Sequence, residues 1–198
     1  MTSKKSHNIY IIYSESSIED VRDFLSSYTN NNYNIGIMRL DYIKDSDGKS
    51  KKTNRILVTL TDKIYKKLKD NNLTEKNEYD FKIKSYELRN NNEPPENCAY
   101  TLYIKLPIYE LTINECKEQL QDKINSMILY GLIDEDEYIF HSFEDKNYML
   151  VTFPKLEKEN TEKYIKFKIL LDQQKFYKNN EEYIVRCSWA KKSSLREI

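Results

Sequence analysis

At 198 residues the chain has room for one or two domains, and two of about 90 to 100 residues would each hold a modest core. Hydrophobic residues at 39% and charged residues at 32%, with 3 Gly, describe a folded, soluble chain; no run approaches eighteen apolar residues and the N-terminus lacks the apolar stretch of a signal peptide, so an intracellular, non-membrane protein is expected. Net charge is zero, which argues against binding by charge alone, but residues 1–92 carry 17 Lys and Arg against 13 Asp and Glu, and the remainder 15 against 19.

Asn, Lys, Tyr and Ile are abundant, as codon bias in an AT-rich genome produces. Cys98, Cys116 and Cys187 are odd in number and far apart, which argues against a disulfide framework or a zinc site and for reduced, buried thiols.

In chain order, Ile9-Tyr10-Ile11-Ile12-Tyr13 predicts a strand. Ser16 and Glu19 have the spacing of a capping box and open a helix with Ile18, Val21, Leu25 and Tyr28 on one face. A second strand is expected over 33–43 and a turn at Asp45-Ser46-Asp47-Gly48, followed by a loop with Lys49, Lys51 and Lys52 and a strand over 55–60. A short helix over 62–71 carries Ile64 and Leu68, and a closing strand over 79–88 turns Phe81 and Ile83 inward. The order is βαββαβ.

The stretch 90–97 is polar, contains Pro94-Pro95 and reads as a short, stiff linker. A strand over 100–107 follows. Thr112 and Glu115 then form a capping box before a helix with Ile113, Cys116, Leu120, Ile124 and Met127 at helical spacing. A strand containing His141, another over 146–153, a helical stretch and a last strand over 182–190 repeat the order. The expected organisation is domain 1 over 1–89, the linker, domain 2 over 98–192 and a tail over 193–198. The fold class is α+β: two tandem ferredoxin-like βαββαβ domains, each a four-stranded antiparallel sheet with two helices on one face and the other face open.

Particular residues carry a resemblance. Leu102-Tyr103-Ile104-Lys105-Leu106-Pro107 resembles the RNP2 motif of the RNA recognition motif family, one residue short of its usual spacing, and residues 146–153 are similar to RNP1. Lys146, Tyr148 and Phe153 match that pattern, while Asn147, Met149 and Leu150 depart from it, the glycine being absent and one stacking position aliphatic. Val185 to Ala190 resembles the family's last strand. In the first half, Ile9-Tyr10-Ile11 stands at RNP2 and 53–60 at RNP1, with Arg55 and Leu57 in the two aromatic positions, a more degenerate copy.

The resemblance implies single-stranded RNA as partner, bases stacking on aromatic rings at about 1–3 kcal/mol each while Lys and Arg meet phosphates. With Leu102, Ile104, Met149 and Val151 inward, the second open face would show Tyr103, Lys105, Tyr148, Leu150, Thr152, Arg186 and Ser188. With Ile9, Ile11, Ile56 and Val58 inward, the first would show Tyr10, Ile12, Arg55, Leu57, Lys82, Lys84 and Tyr86. Lys49, Lys51 and Lys52 belong to a loop that touches RNA in the resembled family. Each residue has a plainer reading. With 17 Tyr in the chain, a strand Tyr is often a half-buried sheet residue, and a Lys run is often only solvated. Trp189 is expected at the sheet edge, and Leu57 and Leu150 point to a covered surface.

Catalysis finds no support: His7 and His141 lack partners at triad or metal spacing, there is no P-loop or dinucleotide turn, and 134–137 reads as a solvated acidic turn rather than a calcium loop. The expectation is a non-enzymatic RNA-binding protein with no cofactor or metal. Its rival is an adaptor whose degenerate domains hold a protein partner on the sheet or helices, favoured by the zero net charge and by Leu57 and Leu150. A ferredoxin-like binding scaffold without nucleic acid is a third, less specific reading.

Overall fold

The computed structural model describes residues 7–29, 35–44, 46, 50–88, 94–95, 98–107, 111–143, 146–153 and 158–191. The chain divides into two compact units, Met1–Glu87 and Leu88–Ile198. Most of the proposed linker, the tail from 193 and most of the 45–48 turn lie outside the described residues.

The first unit runs β1 (His7–Tyr13), α1 (Ile18–Ser27), β2 (Ile35–Lys44), β3 (Ser50–Thr61), α2 (Asp62–Asp70) and β4 (Lys82–Ser85). Its sheet has the order β2-β3-β1-β4, with β1 antiparallel to both β3 and β4. Alternate side chains decide what the helices cover: Tyr10, Ile12, Ile56, Val58, Leu60, Phe81 and Ile83 form one core with Val21, Phe24 and Leu25 of α1 and Ile64 and Leu68 of α2. Burying each large apolar side chain contributes about 1.5–3 kcal/mol. The helix stripe therefore includes Phe24, which sequence spacing had not singled out.

Two boundaries differ from expectation. The cap of α1 is Ser17 rather than Ser16. The Ser17 hydroxyl accepts from the Asp20 N–H at 3.1 Å, and Asp20 Oδ2 accepts from the Ser17 N–H at 2.9 Å. Ser16 is diverted because its N–H donates to Ser14 Oγ at 2.9 Å. The strand expected from 55 begins at Ser50, so Lys51 and Lys52 are strand residues, opposite Ile43 and Tyr42 of β2, and not loop residues. The reason is cooperative: β2 extends to Lys44, and its unpaired backbone groups draw the next segment into the ladder. Lys49 lies outside the described residues.

The second unit runs β5 (Cys98–Lys105), α3 (Ile113–Leu129), β6 (Ile139–Ser142), β7 (Tyr148–Thr152), α4 (Lys158–Leu171), β8 (Lys175–Lys178), β9 (Glu181–Ile184) and β10 (Arg186–Lys191). The four-stranded order β10-β5-β7-β6 repeats that of the first unit. Each unit is thus βαββαβ with a four-stranded antiparallel sheet, and β8-β9 is an additional hairpin. The single last strand expected over 182–190 is divided at Val185, since Glu181–Ile184 pair with β8 and the residues from Arg186 pair with β5; between β8 and β9, Asn179 and Asn180 both take the left-handed conformation, φ 51° and 67°. That pair makes a two-residue turn of the type hairpins favour and returns the chain on itself.

Cys116, Leu120, Ile124 and Met127 of α3 are fully buried, as their spacing requires. Phe153 stacks on Tyr164 of α4 at 4.2 Å and meets Phe167 edge-on at 5.5 Å. Trp189 packs edge-on to Phe153 at 6.2 Å, at the border of this core. All three cysteines are buried free thiols, and desolvation first, with the Glu115 carboxylate second, raises Cys116 to about 11. The acidic turn is only partly solvated: Glu137 is buried and pairs with Lys163 at 2.6 Å while accepting from the Asp134 N–H. No helix among the described residues is long and apolar enough to cross a membrane.

The capping boxes give a measurable expectation. Ser17→Ala and Thr112→Ala should each lower unfolding stability by about 1 kcal/mol, read from urea midpoints. Asp20 and Glu115 are held below the usual carboxylate range, each chiefly by the backbone N–H of its cap residue, and Glu115 also by Lys178. Because the folded carboxyls bind protons less readily than the unfolded ones, this contribution is present above the ordinary carboxylate range. It is lost as pH falls through the lowered values. An acid titration should therefore lower the stability of the unmodified protein and of both variants alike, since alanine keeps the backbone N–H that chiefly holds each carboxylate.

Candidate nucleic-acid interface

Since Leu102, Ile104, Met149 and Val151 are fully buried on the helix side, the residues between them face the other way. Register places Tyr103 opposite Leu150 and Ser188, and Lys105 opposite Tyr148 and Arg186. The rings of Tyr103 and Tyr148 lie diagonally across the strands with centroids 4.8 Å apart and planes at 33°. Phe143 adds a third ring 5.5 Å from Tyr148. It sits just after β6, in a stretch the motif pattern does not reach, which is why sequence reading missed it.

Both tyrosines are half-buried, so their rings are held by the sheet yet remain reachable. Desolvation, then the neighbouring Tyr148, raises the Tyr103 hydroxyl above its ordinary value and keeps it a neutral hydrogen-bonding group. Lys105 is exposed and makes no ion pair among the described residues. Arg186 is half-buried beside it. Leu150, by contrast, is only 2% exposed, between Tyr103 and His141 on the flanking strands, and offers no surface to a base. Thr152 is engaged with Thr101, their hydroxyls 3.0 Å apart.

In the first unit the expected parity of β1 is reversed. Tyr10 and Ile12 face the helices, and Ile9, Ile11 and Tyr13 face away. Tyr10 is 3% exposed, its ring stacked on Tyr65 of α2 at 4.3 Å and its hydroxyl donating to Asp62 Oδ1 at 3.2 Å. Burial first, then the Asp62 charge, raises its hydroxyl well above the ordinary tyrosine value. Tyr10 is therefore a core residue and not a stacking platform. Tyr10→Ala should destabilise the first unit by about 3 kcal/mol, as loss of a buried ring does. Tyr13→Ala should change its unfolding free energy by no more than about 0.5 kcal/mol.

Leu57, at 1% exposed, Ile9 and Ile11 are buried on the side of the sheet away from the helices. Tyr13 is an aromatic group on that side. It is directly opposite Arg55 on β3 and Lys82 on β4, and Lys84 Nζ lies 6.0 Å from its ring centroid. Arg55 is already paired with Asp41 at 3.2 Å, whereas Lys82 and Lys84 are exposed with no ion pair among the described residues. Lys51 and Lys52 are exposed at the far end of the β2-β3 hairpin.

The two registers share a pattern. A row across three strands carries Arg55, Tyr13 and Lys82 in one unit and Tyr148, Lys105 and Arg186 in the other. Each row contains one tyrosine and two cations, the tyrosine having exchanged strands. Flat ring and fixed charge at cross-strand distance is the pairing that a stacked base and its phosphate require.

No family model and no curated relative matches the chain. Among solved structures it is similar to one described as a Sxl-Lethal protein/RNA complex, at 10% identity over 93% of this chain and 100% of that chain, with a TM-score of 0.29. It is also similar to the first two RRM domains of yeast poly(U) binding protein Pub1, at 10% identity over 93% and 99% with a TM-score of 0.26. A third is described as a putative glycine cleavage system transcriptional repressor, at 11% identity over 93% and 98% with a TM-score of 0.22. Sheet order, the same in both units, and strand register define the fold of this chain.

Proposed function

We propose that the protein binds single-stranded RNA on the helix-free sheet face of its second unit, with the sheet end of the first unit as an additional contact. The observation that carries this reading is the Tyr103–Tyr148 ring pair, 4.8 Å between centroids, with Lys105 and Arg186 in the same cross-strand row as Tyr148. Unpaired bases stack on the rings, and the cations meet the phosphates between them. Neither unit needs net positive charge for this, because the cations are local to the rings.

Anisotropy of a fluorescent pool of single-stranded RNA, measured with the purified full chain, tests the reading. Phosphate contacts by Lys105, Arg186, Lys82 and Lys84 would give a log–log salt slope of about −3, so affinity should fall about 50-fold between 50 and 200 mM salt. Absence of binding near physiological salt would overturn it and turn attention to the adaptor reading. That reading draws on the aliphatic residues at the degenerate motif positions, but Leu57 and Leu150 are both buried.

A further inference from the structure

A cleft of about 290 Å³ opens at one end of the first unit's sheet. It is walled by Tyr13, the connection Glu15–Ser16, Tyr79 and Asp80 on the approach to β4, and Lys82 at the start of that strand. Its size is at the lower limit of drug-sized pockets, roughly 300–1,000 Å³, and fits one flat heterocycle.

The walls are fixed before anything binds. Asn77 clamps the Tyr79 side: its Nδ2 donates to the Leu73 and Phe81 carbonyls at 2.9 and 2.7 Å, and its Oδ1 accepts from the Tyr79 and Phe81 N–H groups at 3.1 and 2.9 Å. On the opposite segment the Ser14 N–H donates to the Asn54 carbonyl at 2.8 Å, and Ser14 Oγ accepts from Ser16. Tyr79 is stacked on Phe81 at 5.2 Å and edge-on to Phe24 at 5.7 Å, yet stays 41% exposed. A ring anchored to the core and open to solvent loses little freedom on binding, which is what preorganisation requires.

The polar groups select the ligand. Glu15 and Asp80 are exposed carboxylates, neither in an ion pair among the described residues, and ionised carboxylates only accept hydrogen bonds. Lys82 stands beside Tyr13 as a donor for phosphate. A ligand here needs a flat face, an edge rich in donors and a nearby negative charge. Cytosine, adenine and guanine carry an exocyclic amine; uracil presents two carbonyls and one N–H.

We propose that this cleft seats one unpaired, amino-bearing base of the bound RNA, its amine donating to Asp80 or Glu15, its face against Tyr79 or Tyr13, and its phosphate on Lys82. This rests on the RNA-binding reading and adds base selectivity to it. Of its candidate contacts sequence reading had named Lys82; Glu15, Tyr79 and Asp80 lie beyond the strand positions that the motif resemblance marks.

The test compares equal-length oligo(rC), oligo(rA) and oligo(rU) on the full chain, the Asp80→Asn variant and the Glu15→Gln variant. Asp80 has φ 58°, a left-handed conformation that Asn also tolerates, and Glu15 is an exposed loop residue, so both variants keep the fold. The unmodified chain should favour rC and rA over rU by about 10-fold, the order of one discriminating hydrogen-bonded contact. At least one variant should lose that preference while binding rU as well or better. Removing a carboxylate that merely faces solvent would strengthen all three alike, by reduced repulsion of phosphate. Equal affinity for the three oligomers, or a uniform gain in both variants, overturns the cleft assignment and leaves RNA binding standing. No binding of any oligomer overturns both.

Discussion

Alanine at both Tyr103 and Tyr148 is expected to weaken single-stranded RNA binding by about two orders of magnitude or more, since each stacked base is worth about 1–3 kcal/mol by alanine substitution. The two rings lie on the helix-free side of the sheet and are half-buried, while the core beneath them is carried by Leu102, Ile104, Met149 and Val151. The double variant should therefore still unfold cooperatively, with a urea midpoint close to that of the unmodified chain. Phenylalanine at the same two positions keeps the stacking surface and should retain most of the affinity. Undiminished binding in a folded double-alanine variant would remove the second unit's sheet from the interface.

Phe153→Ala should produce the largest loss of stability in the second unit, about 3–5 kcal/mol. The ring is 1% exposed and contacts Tyr164, Phe167 and Trp189, so its removal leaves a cavity between the sheet and α4. A domain stable by only about 5–15 kcal/mol would be brought close to unfolding. Trp189, the single tryptophan, sits 6.2 Å from Phe153 and reports this transition by its emission. A shift of less than about 1 kcal/mol would mean that the aromatic cluster closes over the gap and does not organise the core.

Periodicity was enough to read the βαββαβ order of both halves, because the α3 stripe of Cys116, Leu120, Ile124 and Met127 and the inward Phe81 and Ile83 each bury one face. The outward set of β5 was legible for a related reason. Leu102 and Ile104 alternate with Tyr103 and Lys105, and only one of the two sets is apolar enough to be core. No such contrast exists in β1, where Ile9, Tyr10, Ile11, Ile12 and Tyr13 are all apolar or amphipathic and either parity satisfies the pattern.

The choice in β1 was made by residues fifty positions away: Asp62 accepts from both the Tyr10 hydroxyl and Asn8 Nδ2, and Tyr65 offers the ring on which Tyr10 stacks. Tyr13 becomes the outward tyrosine as a consequence. Distant contacts also built the cleft, where Phe24 meets the Tyr79 ring edge-on and the Asn54 carbonyl accepts from the Ser14 N–H after β1. Local pattern thus specified the elements, their order and the parity of strands with one apolar face. Parity in a uniformly apolar strand, the pairing of Tyr103 with Tyr148 and Phe143, and the cleft at Tyr79 were decided by side chains that meet only when the sheet closes, since hydrogen bonds and ring contacts between distant positions leave no periodicity in the chain.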